Sequence, residues 1–216
     1  MTTLLTNINL EVPEQLILFR LQFKNKRTTA DDSVLRLIHE VTNEALSLTD
    51  PKAVYGEYEI LSNNGEEVSL AGGLTIRSAA IGRLLARCRR IVLLAGTIGE
   101  EITGKINGYA KTDLTRAAIL DAAASELADE VANRVQFLVR NEAPSKGFNL
   151  TYRFSPGYSD WKLSDQPRLL KTLDAERISL TCGESFILKP EKSVTGLIGL
   201  EPAAHDCASC SSCPSR

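Results

Sequence analysis

Nine residues, R-F-S-P-G-Y-S-D-W from Arg153 to Trp161, combine a fixed cation, a proline–glycine turn, two large aromatics after it and a carboxylate. A guanidinium presents a planar fork of donors that matches a carboxylate in a bidentate pair. Pro156–Gly157 sets a sharp turn, and a glycine lets backbone amides approach a ligand closely. Tyr158 and Trp161 offer faces for an aromatic or cationic group. A small zwitterion with an aromatic part suits such a loop. The same residues also suit a structural turn, with Arg153 paired to a nearby acid and the aromatics capping the core.

A second group lies on one helical face. Asp121, Ser125 and Asp129 fall at i, i+4 and i+8 and form a polar column in an alanine-rich segment. It reads either as a solvated stripe or as the wall of a cleft. Glu126, Glu130 and Arg134 make a separate charged stripe further round the helix. Glu184, Lys192 and Ser193 form a third cluster, able to touch a ligand or simply to begin a strand. Arg83, Arg87, Arg89 and Arg90 gather at a helix end, where cations complement the dipole; an acidic partner is the other use of such a patch.

The chain ends with Cys207, Cys210 and Cys213 in C-x-x-C-x-x-C spacing, with His205 just before them. Thiolates at this spacing bind zinc or an iron–sulfur cluster. A fourth cysteine is missing, and a tail of reducible thiols is the alternative. Phosphate-binding glycine loops of the Rossmann or Walker type are absent, as is a nucleophile elbow. His39 and His205 are the only histidines, so nothing supports a hydrolase with a histidine base. A ligand loop without acid–base machinery reads as a binding module.

The elements that must carry these groups follow from periodicity and punctuation. Pro13 to Leu21 reads as a short helix, with proline where its missing N–H costs nothing. Asp31 or Asp32 caps a helix to about Leu48, with Val34, Leu35, Ile38, Val41, Thr42 and Ala45 in helical spacing. A-V-Y-G-E-Y-E-I-L and E-V-S-L-A-G-G-L-T-I flank S-N-N-G, a hairpin signal, and Gly72–Gly73 predicts a bulge or bend in the second strand. Helices are expected over Ala79–Ala86, Glu100–Ala110, Leu114 to about Arg140 and Gln166–Leu173. Strands are expected at R-I-V-L-L-A-G-T-I-G, Leu150–Phe154, I-S-L-T-C and S-V-T-G-L-I-G-L. Without strict βαβ alternation, the class is α+β around a twisted, mostly antiparallel sheet packed with helices. Residues 1–204 read as a single domain and 205–216 as a Cys-rich tail.

A chain of 216 residues with 43% hydrophobic and 24% charged residues has ordinary globular composition and length enough for a real core. A net charge of −2 gives no basic surface for nucleic acid. No run nears the roughly 18 apolar residues of a membrane span. The first ten residues lack a signal-peptide pattern, so a cytoplasmic protein is expected.

Taken in order, several segments resemble one family. R-F-S-P-G-Y resembles the R-x-x-P-G-Y motif of the activation (reactivation) domain of vitamin B12-dependent methionine synthase. I-S-L-T-C-G-E-S-F-I-L-K-P-E-K-S-V-T-G is similar to that family's Thr-Glu segment followed by P-x-x-S-V-S-G. D-A-A-A-S-E-L-A-D-E is similar to its helix that supplies an acidic ligand contact, and L-L-A-G-T-I-G resembles its Ala-Thr-x-Gly strand end. The stretch through P-K-A-V-Y-G-E-Y-E-I is closer to free-standing relatives. The likeness runs from about residue 10 to residue 200.

The resemblance implies the fold of that domain and binding of S-adenosylmethionine. It puts the methionine carboxylate on Arg153 and the rest of the ligand on the turn at Gly157, Tyr158 and Ser159. The family's acidic helix residue falls on Asp129, one methylene shorter than glutamate; its Thr-Glu becomes Gly183–Glu184, without the hydroxyl. The implied job is reductive remethylation of an oxidised cobalamin, with the methyl group from S-adenosylmethionine and an electron from a flavoprotein. No cobalt-ligating D-x-H-x-x-G motif is present, so the cobalamin is expected on a separate corrinoid methyltransferase protein, methionine synthase first among them. The chain is then an accessory subunit of that methyltransferase and not a self-sufficient enzyme. The competing reading is a metal- or redox-active accessory protein working through the cysteine tail.

Overall fold

The structure, a computed structural model, describes residues 1–23 and 31–203. Strand β5 (Arg90–Thr97) is buried along all but its first residue. Val92 and Leu94 point to one hydrophobic core, while Ile91, Leu93 and Ala95 point to another. This is the period-two signature of a strand covered on both faces. β5 pairs antiparallel with β2 (Lys52–Asn63) on one edge and with β9 (Ser193–Pro202) on the other. The sheet extends as β4 (Thr75–Arg77), β3 (Glu67–Leu70), β2, β5, β9 and β6 (Phe148–Leu150). Its assigned neighbours are all antiparallel. β2 is long enough to pair β1 (Thr2–Leu5) near its start and β3 near its end. A ribbon of β7 (Thr181–Cys182) and β8 (Leu188–Lys189) stands apart.

One face of the sheet carries α1 (Glu14–Arg20), α2 (Asp32–Ser47), α4 (Glu101–Tyr109) and α5 (Leu114–Glu142). The other carries α3 (Ala79–Leu84), α6 (Gln166–Leu173) and a 3-10 turn at Ala175–Ile178. Asp31 is the α2 cap, accepting from the Ser33 and Val34 amides, and Ile38, Val41, Thr42 and Ala45 form its buried stripe. α5, of 29 residues, is the main prop of the sheet. Asp113 caps it, and its alanines let it lie close to β5 and β9, with Leu120, Leu127, Val131 and Val135 fully buried. Among the described residues no helix is long and apolar enough to cross a membrane.

Gly72 and Gly73, at φ +94° and +84°, take the second of the two forms expected of them: they bend the chain in a turn that splits the run into β3 and β4. Two expectations need correction. The strand expected at Leu150–Phe154 stops at Leu150. Beyond it Thr151 N still donates to Gly199 O at 3.0 Å, and the chain pairs with the sheet again at Phe154, which bridges Leu197. I-S-L-T-C is not a sheet strand. Ile178 ends a 3-10 turn, Ser179 is left-handed at φ +57°, and only Thr181–Cys182 is extended. Ile178 and Leu180 are apolar because they close the second core from below, a job that needs burial and not pairing.

Substitutions on α5 should separate core from surface. Leu127→Ala, at a fully buried site, should cost about 2–5 kcal/mol in urea unfolding. Phe137→Ala, on an exposed ring of the same helix, should stay within about 0.5 kcal/mol.

Candidate ligand-binding cleft

The cleft opens where the segment 152–158 crosses the start of β9. Phe154 N donates to Leu197 O at 2.9 Å, and Leu197 N donates back to Phe154 O at 2.8 Å. This two-way bridge presses Arg153 and Ser155 against Gly196. A Cβ at position 196 would stand 3.0 Å from Phe154 O and 3.2 Å from both Arg153 Cγ and Ser155 Oγ. A side chain here would make the loop give way by a few tenths of an ångström, and glycine lets it lie flat. The cleft above it has a volume of about 440 Å³, with Asp129, Arg153, Phe154, Tyr158, Gln166 and Thr195 in its wall. That size falls in the range of about 300–1,000 Å³ typical of small-molecule sites.

Arg153 is its charged centre. The side chain is only 18% exposed, and its nearest carboxylate oxygen, Asp129 Oδ1, is 3.9 Å away. Its Nη1 donates to Asn133 Oδ1 at 3.1 Å. Burial pushes the guanidinium below its ordinary pKa, and the Asp129 charge works against that shift. Arginine stays charged through any such shift. The result is a desolvated cation with spare donors facing an open cleft.

The polar column of α5 proves to be a pair of clamps. Lys192 Nζ donates to Asp121 Oδ1 at 2.7 Å and to Ser125 Oγ at 2.9 Å, so the first half ties the start of β9 to the helix. Asp129 and Asn133, one turn apart, hold Arg153. Asn133 extends the i, i+4 series by one step. That spacing is visible in the sequence, but asparagine was not among the charged candidates. Asp129 also takes Arg20 Nη2 at 3.3 Å from α1, and Arg20 Nε reaches Glu126 at 2.6 Å. Ser193 lines the cleft while its Oγ lies 2.8 Å from Thr97 Oγ1.

The loop's remaining residues divide between framework and opening. Trp161 is no ligand platform: it is 1% exposed in the second core, with Nε1 donating to Asp165 Oδ2 at 3.1 Å. Phe154, stacked 6.4 Å from Trp161, is the ring that reaches the cleft, with Tyr152 and Tyr158 beside it. Gly157 sits at φ +93°, and its N–H donates to Trp161 O at 2.7 Å, closing the turn. Ser159 follows in a left-handed conformation at φ +51°. Glu184 is exposed in the loop joining β7 to β8; of that ribbon, Leu188 lines the cleft.

Two of the four clustered arginines are paired locally, Arg87 with Glu201 at 2.6 Å and Arg90 with Glu57 at 2.7 Å. Cys88 is pushed up to about 11 by burial and by the Glu201 charge, and burial raises Cys182 as well, so both thiols stay protonated near neutrality. Among the described residues no three His, Cys, Asp or Glu side chains gather to hold a metal. His205, Cys207, Cys210 and Cys213 lie outside the described residues.

Asp160 caps α3. Its carboxylate accepts from Ser78 Oγ, from Ala79 N at 2.7 Å and from Ala80 N at 3.2 Å. The Ser78 bond above all holds its pKa below the ordinary carboxylate value. A carboxyl with a lowered folded-state pKa stabilises the fold above its unfolded value of about 3.9. That contribution fades as pH falls through the lower folded value. Asp160→Asn should therefore unfold at lower urea than the parent at pH 7, and the two midpoints should converge on acidification below about pH 4.

No protein-family model matches the chain, and no curated protein matches it in sequence. Among solved structures, the crystal structure of the MetH reactivation domain bound to AdoHcy matches with a TM-score of 0.66 at 14% identity. The match covers 94% of this chain and 79% of that one. The twisted antiparallel sheet packed with helices is thus the fold of the reactivation domain.

Proposed function

We propose that the chain binds S-adenosylmethionine in the Arg153 cleft and presents its methyl group to a cobalamin carried by a separate corrinoid protein, with methionine synthase the leading candidate. The observation that carries this reading is the largely buried Arg153 guanidinium, with no carboxylate of the described residues at hydrogen-bonding distance and donors to spare over an open cleft. A cation so placed calls for an anionic ligand group. The shared fold adds support, since the matched reactivation domain holds AdoHcy, which is S-adenosylmethionine without its methyl group.

The donor set suits such a ligand. Arg153 takes the amino-acid carboxylate, and Asp129 takes the amino group, sharing it with or yielding Arg20. Tyr158 and Tyr152, both largely exposed, offer π faces to the sulfonium. Phe154 and Leu188 give the nucleoside apolar contact. Gly157 and Ser159 on the turn, and Glu184 on the neighbouring ribbon, are the remaining contacts in the proposal. The corrinoid supplies the nucleophile, and a flavoprotein supplies the electron. Passing a methyl group from a sulfonium to such a nucleophile moves no proton. The residues of this chain therefore bind and orient the donor, and proximity is their contribution to rate.

Calorimetry with S-adenosylmethionine tests the reading directly. The parent protein should bind, and Arg153→Ala should lose about 1.5–3 kcal/mol of affinity, as for a hydrogen-bonded charge. Arg153→Lys should recover only part of it, because the ammonium keeps the charge and loses the fork. A parent protein that gives no binding heat at millimolar ligand would sink the proposal.

A further inference from the structure

The floor of the cleft holds a polar group for which the carboxylate and amino contacts leave no role. Gln166, the first residue of α6, is 5% exposed and lines the cleft. Thr195, 3% exposed on β9, donates its hydroxyl proton to Gln166 Oε1 at 2.7 Å. The acceptor end of the amide is thereby used. Among the described residues Nε2 has no acceptor, although a primary amide carries two N–H donors there. A buried amide with one end satisfied and the other open to a cleft is poised for a ligand atom.

Its placement is over-determined. Thr195 stands opposite Ala95 in the β5–β9 ladder, so the hydroxyl that orients the amide belongs to the centre of the sheet. The preceding residue, Asp165, is held by the Trp161 indole. The nine-residue loop that carries Arg153 is therefore also tied to the residue that precedes α6. Such rigid support keeps a recognition group at constant geometry.

We infer that Gln166 is a specificity-determining residue of the cleft, donating from Nε2 to an acceptor atom of the bound ligand, with Thr195 as the positioning residue that fixes which end of the amide faces it. This rests on the proposed S-adenosylmethionine reading. The site supplies a donor only, so the matching ligand atom is an acceptor: the ribose ring oxygen or a ring nitrogen of the base.

Binding of S-adenosylmethionine should be measured by calorimetry for the parent, Gln166→Leu, Gln166→Glu and Thr195→Val, with thermal unfolding recorded for each. Gln166→Leu removes the donor and should weaken binding roughly tenfold. Gln166→Glu keeps the size and the Thr195 bond but turns an acceptor toward the ligand, so it should bind more weakly than Gln166→Leu. Thr195→Val frees the amide to rotate and should weaken binding several-fold with Gln166 intact. A purely structural Gln166 would give the opposite order, with Gln166→Glu closer to the parent than Gln166→Leu. That order, or parent-like affinity in both Gln166 variants, overturns the inference while leaving the Arg153 reading standing. Absence of binding in the parent overturns both.

Discussion

A cation largely withdrawn from water must be held by something, and the guanidinium of Arg153, only 18% exposed, organises the cleft around it. No carboxylate of the described residues neutralises it at hydrogen-bonding distance, so its desolvation cost is met by arrangement. The Phe154–Leu197 bridge pins its backbone to β9, and the missing side chain at Gly196 lets that bridge close. Asn133 and Asp129 approach it from α5. Removing any of these would leave the charge solvated or the loop displaced. The cleft is where three elements agree on the position of one side chain.

The same helix serves framework and cleft with one pattern. Along α5, polar residues at every fourth position alternate between two cations, Lys192 and then Arg153. Lys192 lies just before β9, and Arg153 lies in the segment that returns to β9. Both clamps thus act on the strand whose start lines the cleft. Burying alanines around them lets helix and sheet approach closely enough for short polar side chains to span the gap. A bulkier apolar face would fill the interface and leave the column with nothing to reach.

What the sequence disclosed and what it hid follow from the range of the interactions involved. Elements defined by local pattern were legible: the Asp31-capped stripe of α2, the Asn-Gly hairpin, the apolar run of β5 and the long alanine-rich α5. Ile178 to Cys182 was misread because its apolar residues close a core at a chain reversal, and composition alone cannot tell that from a strand. Gly72–Gly73 left bulge and bend open, because register across β3 and β4 is a pairing property and not a local one. In the cleft, Arg153 stood out by chemistry. Asp160 and Trp161 did not declare their roles, because their partners Ser78, Ala79 and Asp165 are set by tertiary contact. Gln166 looked like an ordinary helix start for the same reason: its meaning lies in a hydroxyl 29 positions along the chain.

The division of work inside the nine-residue loop bears on what a positioning module requires. Its buried members, Pro156 and Trp161, join the core or close the turn, and the Asp160 carboxylate grips the end of a helix on the opposite face from α5. Its exposed members, Tyr158 with the adjacent Tyr152, stand at the mouth. The proposed transfer to a separate protein requires that the ligand stay partly uncovered, since the transferred carbon must meet a nucleophile arriving from outside. It needs a rigid floor, to hold the ligand's charged end, and an uncovered rim. Arg153, Gln166 and Thr195 provide the first through backbone bridging and buried hydrogen bonds. The tyrosines leave the second open, and large exposed rings are suited to becoming contact area once a partner excludes water from them.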